Sequence, residues 1–210
     1  MRRLGILPMF ALAMCTSATD LDVDLGAFER LPSVDELDFT RIVPAREWDY
    51  WELRFSLGDG DIDNIVGSGG ALSRTDLPAP VLSELDALAP PTGFARGCLP
   101  GHCFKFIAAV RGDRVFSFTR TDTLLEFLGG IGTSEEAILL VDAHGFNWQP
   151  ADDDTGYRAL DAGGWEFVVL DLVRDCAPIQ IDRVLLRVSP EGTLSERARE
   201  LWEKEDEMCI

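Results

Sequence analysis

A period of two runs through residues 51–57. Trp51, Leu53, Phe55 and Leu57 alternate with Glu52, Arg54 and Ser56. That spacing predicts a half-buried strand, and Gly58-Asp59-Gly60 ends it. The glycine-rich residues 67–70 read as a loop. Pro78 and Pro80 then precede Val81, Leu82, Leu85 and Leu88, a short helix with proline at its start. Pro90 and Pro91 stop it.

Residues 104–120 predict a hairpin. Both arms are rich in β-formers, and Gly112-Asp113 suits a type II′ turn. That turn pairs Val110 with Val115 and Ile107 with Phe118. Apolar residues then fall on both faces, so the hairpin belongs in a sheet interior. The same register sets Arg111 against Arg114 and Lys105 against Arg120. Like charges in opposition call for compensating acids nearby. The Arg-Gly-Asp tripeptide at 111–113 is what a tight turn needs, and so short a match to an adhesion motif carries little information.

Two helices should follow. Thr123 with Glu126, and Thr133 with Glu136, have capping-box spacing. Gly129 and Gly130 close the first helix, and Gly145 closes the second. Ala137, Ile138, Leu140 and Val141 form an apolar stripe. His144 falls in the last turn, where the helix dipole favours a cation. Farther on, residues 165–173 and 179–188 read as antiparallel strands, and Ser189-Pro190-Glu191-Gly192 makes a turn. Residues 193–205 fit a helix by pattern, with Thr193 and Glu196 as a capping box. Chain reach favours a strand, because only an extended segment returns Cys209 to Cys176. The fold class expected is α+β: a single domain, an antiparallel sheet of hairpins and a C-terminal meander, with a few short helices packed on it.

The N-terminus divides from this domain. Residues 1–15 have a basic start at Arg2-Arg3, a short apolar run and then Cys15. Nine apolar residues span only about 14 Å as a helix, well short of the roughly 30 Å of a bilayer core. The segment therefore reads as an export signal. Leu12, Ala13 and Cys15 resemble the processing motif of bacterial lipoproteins, with Cys15 as the lipid site. Met14 stands where that motif has a small residue, and a cut after Ala13 is the alternative. Residues 16–46 carry Asp20, Asp22, Asp24, Glu29, Asp35, Glu36 and Asp38, and read as an acidic tether from which Phe28 or Phe39 could dock. Residues 47–210 form the domain. The address implied is export to the cell envelope, outer-membrane-anchored or periplasmic, with secretion as the alternative.

Setting Cys15 aside leaves Cys98, Cys103, Cys176 and Cys209, an even number suited to an oxidising compartment. The connectivity is formally open. A local Cys98–Cys103 bridge around Leu99-Pro100-Gly101, and Cys176–Cys209 across a terminal strand pair, are the pairs expected. Zinc is poorly served, because Cys98, His102 and Cys103 have no second pair of ligands in sequence.

The formal net charge is −18. It argues against nucleic acid as a partner and against electrostatic adhesion to anionic lipid. Membrane contact is expected only through a lipid anchor. Asp59, Asp61 and Asp63 match the first ligand positions of a calcium loop. Asn64 then replaces the required glycine, and Gly70 the bidentate glutamate, so an acidic turn is the better reading. Calcium is the only cofactor suggested. Asp152-Asp153-Asp154 is a second, less specific acidic cluster. There is no G-x-S-x-G, H-E-x-x-H, P-loop or C-x-x-C.

Residues 97–103, Gly-Cys-Leu-Pro-Gly-His-Cys before a hairpin, together with a cysteine beside the C-terminus, resemble exported bacterial proteins and lipoproteins of unassigned activity. The resemblance covers about residues 95–210. The functional expectation is a non-enzymatic envelope module that binds a protein or small ligand. The alternative is a Ca²⁺-dependent or acid-residue hydrolytic enzyme of the envelope.

Overall fold

The computed structural model describes residues 21, 23–57, 62–95, 103–148 and 153–206. It is α+β, with two four-stranded antiparallel sheets where one was expected. The first has the order β2-β1-β3-β4, from β1 (Tyr50–Ser56), β2 (Ile62–Gly69), β3 (Phe104–Arg111) and β4 (Arg114–Phe118). The second is a meander, β5 (Gly156–Ala159), β6 (Trp165–Arg174), β7 (Ile179–Val188) and β8 (Leu194–Glu205). The helices are α1 (Ala79–Asp86), α2 (Thr121–Leu128) and α3 (Ser134–Ala143).

One core joins both sheets to α2 and α3. Trp51, Leu53 and Ile107 of the first sheet share it with Phe127 of α2 and with Phe167 and Val184 of the second sheet. Helix α3 is buried almost all round, so its sequence is apolar beyond a single stripe. The other face of the first sheet packs under α1. There Phe106, Ala108 and Val110 meet Val81 and Leu85 in a second cluster. Strand β1 is therefore buried on both faces rather than half-buried. Its polar alternates Glu52, Arg54 and Ser56 are as buried as Trp51 and Leu53.

The β3–β4 hairpin has the expected register, Val110 with Val115 and Ile107 with Phe118. Gly112 has φ +64° and Asp113 is not in the left-handed region, as a type II′ turn requires. Only β3 is interior, and β4 lies at the sheet edge. Arg111 does oppose Arg114, and Arg114 lies 5.0 Å from the Phe116 ring centroid. Lys105 and Arg120 do not pair, because β4 ends at Phe118. Each takes its own acid instead, Asp142 and Asp122.

Residues 67–69 are strand, not loop. A Cβ on Gly67 would lie 2.3 Å from the Phe39 ring, and one on Gly69 2.7 Å from the Trp51 ring. Here glycine lets a strand press against aromatic rings. The box Thr133/Glu136 caps α3 as expected. At α2 the helix starts earlier, at Thr121, and Thr123 is its third residue, accepting the Arg120 N–H. Residues 194–205 are strand, paired along β7 from Val188–Leu194 to Ile179–Glu205. The short β5 gave no clear signal in sequence.

The acidic segment before Trp48 is not an extended tether over its described part. Leu31, Val34, Leu37 and Ile42 are buried in the main core. Glu29 bridges Tyr157, and the Trp148 indole N–H donates to the Pro32 carbonyl at 2.8 Å. Glu136 of α3 accepts the Val43 N–H at 2.8 Å. Apolar side chains at about every third to fifth position outweigh the self-repulsion of the acids.

Candidate functional site

A cleft of about 890 Å³ opens where residues 39–49 pass the ends of β1, β2 and β3. Three backbone bonds set its floor: Ala71 N–H to Trp48 O at 3.2 Å, Leu72 N–H to Asp49 O at 2.7 Å, and Asp49 N–H to Val110 O at 3.0 Å. Phe39, Ile42, Trp48 and Trp51 give that floor an apolar lining. Trp48 is held among Phe116, Phe118 and Phe127, with centroids 5.3, 5.7 and 6.1 Å away. It is only 5% exposed, and its indole Nε1 has no hydrogen-bond partner among the described residues. A buried unmet donor costs about 1–3 kcal/mol.

The rim is charged. Arg46, Glu47 and Arg111 are exposed, and Val43 stands 64% exposed beside them. The Arg46 guanidinium lies 6.0 Å from the Trp48 ring centroid. Asp49 directs Oδ2 to the Gly112 N–H at 2.6 Å. Sequence reasoning missed this cleft because its parts lie up to 72 residues apart, from Phe39 to Arg111. The one local signal was residues 67–70, read as a loop.

A second cleft, about 370 Å³, holds Lys105, Asp142, Asp35, Asn64 and Asn147. Lys105 Nζ bonds both Asp142 oxygens, at 2.8 and 3.0 Å. Burial raises the Asp142 pKa, and Lys105 pulls it part of the way back. The Ser33 hydroxyl holds Asp35 below the usual carboxylate range, with lesser help from Lys105. His144, the C-cap residue of α3, lines a third depression of about 460 Å³. Desolvation pushes its pKa down, so the neutral ring is favoured over the cation that the helix dipole would prefer.

Under α1 lies a buried ionic network. Glu52 accepts the Tyr50 hydroxyl at 2.6 Å and Arg54 Nε at 2.5 Å. Arg54 also donates to the Leu85 and Leu88 carbonyls, at 2.9 and 3.3 Å. Arg74 Nε stands 3.3 Å from Glu52, and its guanidinium pairs with Asp86. Burial, and then Glu52, push the Tyr50 phenol far above its ordinary pKa. Glu52, Arg54 and the Tyr50 hydroxyl are hydrogen-bonded to one another or to carbonyls under the helix, while Arg74 Nε, though 3.3 Å from Glu52, makes no hydrogen bond among the described residues. A covered, largely paired set of this kind is the arrangement of a structural network rather than a reactive one.

The residues singled out from sequence fare unevenly. A twelve-residue calcium loop from Asp59 would run to Gly70, yet Ile62–Gly69 is strand β2. The side chains of Asp59, Asp61 and Asp63 lie outside the described residues, as do Cys15, Cys98 and Cys209. Among the described residues, no group of three or more His, Cys, Asp or Glu could hold a metal ion, and no helix is long and apolar enough to cross a membrane. Cys103 and Cys176 are each disulfide-bonded, and their pairing lies outside the described residues. In the second acidic cluster Asp154 stands 3.9 Å from Arg183. The chain matches no protein-family model, no curated protein and no solved structure.

Proposed function

We propose that this chain is an exported, lipid-anchored cell-envelope protein that works as a non-enzymatic binding module through the Trp48 cleft. The leader and Cys15 support the address. One observation carries the binding role: a large open cleft whose floor holds a buried, unmet indole N–H. Pockets of roughly 300–1,000 Å³ with a mostly apolar lining and a few polar groups are the usual form of ligand sites. We assign Cys98–Cys103 and Cys176–Cys209 as the disulfides, which uses the two bonded cysteines once each.

Three measurements test the reading. Labelled fatty acid should enter the full chain and not Cys15→Ser; equal labelling removes the anchor. Peptide mapping under non-reducing conditions should recover the two assigned pairs, and a Cys209 link to Cys98 or Cys103 refutes the assignment. A fragment screen read by chemical shift should perturb the Trp48 indole first. Perturbations centred on Lys105 and Asp142 would instead favour the second reading, an acid-residue hydrolase, which the raised Asp142 in its own cleft supports. For the calcium version of that enzyme, a melting temperature unchanged between Ca²⁺ and EDTA removes the case.

A further inference from the structure

We infer that the Trp48 cleft takes an organic oxyanion, its carboxylate or phosphate oxygens held by Arg46 and Arg111 and its body offering an acceptor to the Trp48 indole N–H. This rests on the cleft being the binding site. In a chain of net charge −18 most described arginines have an acid, although Arg114, Arg174 and Arg197, outside the cleft, have no ion pair among the described residues. Arg41, Arg120, Arg158, Arg183, Arg187 and Arg199 all take a carboxylate. Arg46 and Arg111 have no ion pair among the described residues, although both line the cleft that also holds Glu47 and Asp49.

The reasons lie in what surrounds them. The Asp49 carboxylate is engaged by the Gly112 N–H. The Arg46 side chain leans towards the Trp48 ring. Arg111 faces Arg114 across the hairpin register, a like-charge opposition that a bound anion relieves. The two rim guanidiniums, and the buried indole N–H of the lining residue Trp48, lack an acceptor among the described residues and are donors that cannot become acceptors. Guanidinium forks match carboxylate and phosphate oxygens two at a time. The apolar floor suits the body of the ligand and not a bare inorganic ion. Glu47, the opposing charge on the rim, favours a ligand with few and spaced anionic groups.

The test is calorimetric titration of the oxidised chain with trigalacturonate, glucose 6-phosphate and neutral maltotriose as probes. At least one charged probe should bind and weaken as salt rises, and which one binds identifies the carboxylate or phosphate source. Arg46→Gln and Arg111→Gln should each weaken it by roughly tenfold, the scale of one charge-assisted hydrogen bond. Trp48→Phe should weaken it by about fivefold. Melting temperatures of the two arginine variants should match the parent, since neither side chain holds the fold. Maltotriose bound as tightly as the charged probes, with the arginine variants unaffected, overturns the oxyanion and leaves the cleft as the site. Binding that ignores all three substitutions overturns both the oxyanion and the site. No heat from any of the three probes overturns the oxyanion.

Discussion

Glu52→Leu should cost more than any exposed substitution on this chain. Glu52 and Arg54 are 0% and 1% exposed, side by side on the α1 face of β1. The substitution leaves the Arg54 guanidinium charged beneath α1 with two carbonyl acceptors, Leu85 and Leu88, and no counter-ion. It also strips the Tyr50 hydroxyl of its acceptor and Arg74 of its inner partner. Removing one member of a buried pair costs about 3–5 kcal/mol. At roughly 2–4 °C per kcal/mol for a domain of this size, the melting temperature should fall by about 10 °C. The double variant Glu52→Leu/Arg54→Met removes the stranded charge along with its partner, and apolar replacement of a whole pair is often close to neutral. It loses two bonds to carbonyls near the end of α1, about 1 kcal/mol each. It should therefore regain roughly half of the loss. Circular dichroism melts and urea titrations of the oxidised proteins measure both. A double variant that melts at or below Glu52→Leu refutes the stranded-charge argument and leaves lost packing as the cause.

Other sites give independent checks. Glu136→Ala frees three backbone N–H groups, of Val43, Gly132 and Thr133, and should cost about 2–4 kcal/mol. It should also speed tryptic cleavage at Arg41 and Arg46, and an unchanged cleavage rate would deny that Glu136 pins the segment. Gly67→Ala drives a methyl into the Phe39 ring and should destabilise by about 1–3 kcal/mol, with Phe39→Leu restoring part of it; a neutral Gly67→Ala would mean the ring moves freely. Asp142 has a raised folded pKa, so the folded state holds more protons than the unfolded state just above the ordinary carboxyl value of 3.8. Its contribution is full below that value and is lost as pH rises through the folded pKa. Asp142→Asn should therefore gain on the parent as pH increases from about 4, read from paired melts; a constant gap across pH would contradict the raised pKa.

The hairpin at Gly112-Asp113 and the α3 cap at Thr133 were legible because turn chemistry and capping act within a few residues. The terminal strand needed one more idea, chain reach: the 1.5 Å rise of a helix cannot keep pace with a partner strand rising about 3.3 Å per residue. Alternation along β1 gave the strand but misjudged its burial. A period of two says that the faces differ, not that the second face meets water. Whether Glu52 and Arg54 are solvated depends on α1, which lies about thirty residues later.

The same limit applies to residues 67–70 and to the acidic segment. Local rules read glycine as freedom and acids as repulsion. Contact with Phe39 and Trp51 turns that glycine run into a packed strand, and the buried Leu31, Val34, Leu37 and Ile42 draw the acidic segment onto the core. The cleft was out of reach in sequence for the same reason, since Arg46, Trp48 and Arg111 become neighbours only when β1 pairs with β3. By itself, the sequence determined class, hairpin register and the α3 cap, all set by interactions among near neighbours. Tertiary structure alone decided what is buried, which charges lack a partner and where a ligand could sit, because these depend on pairings between distant strands that no local pattern encodes.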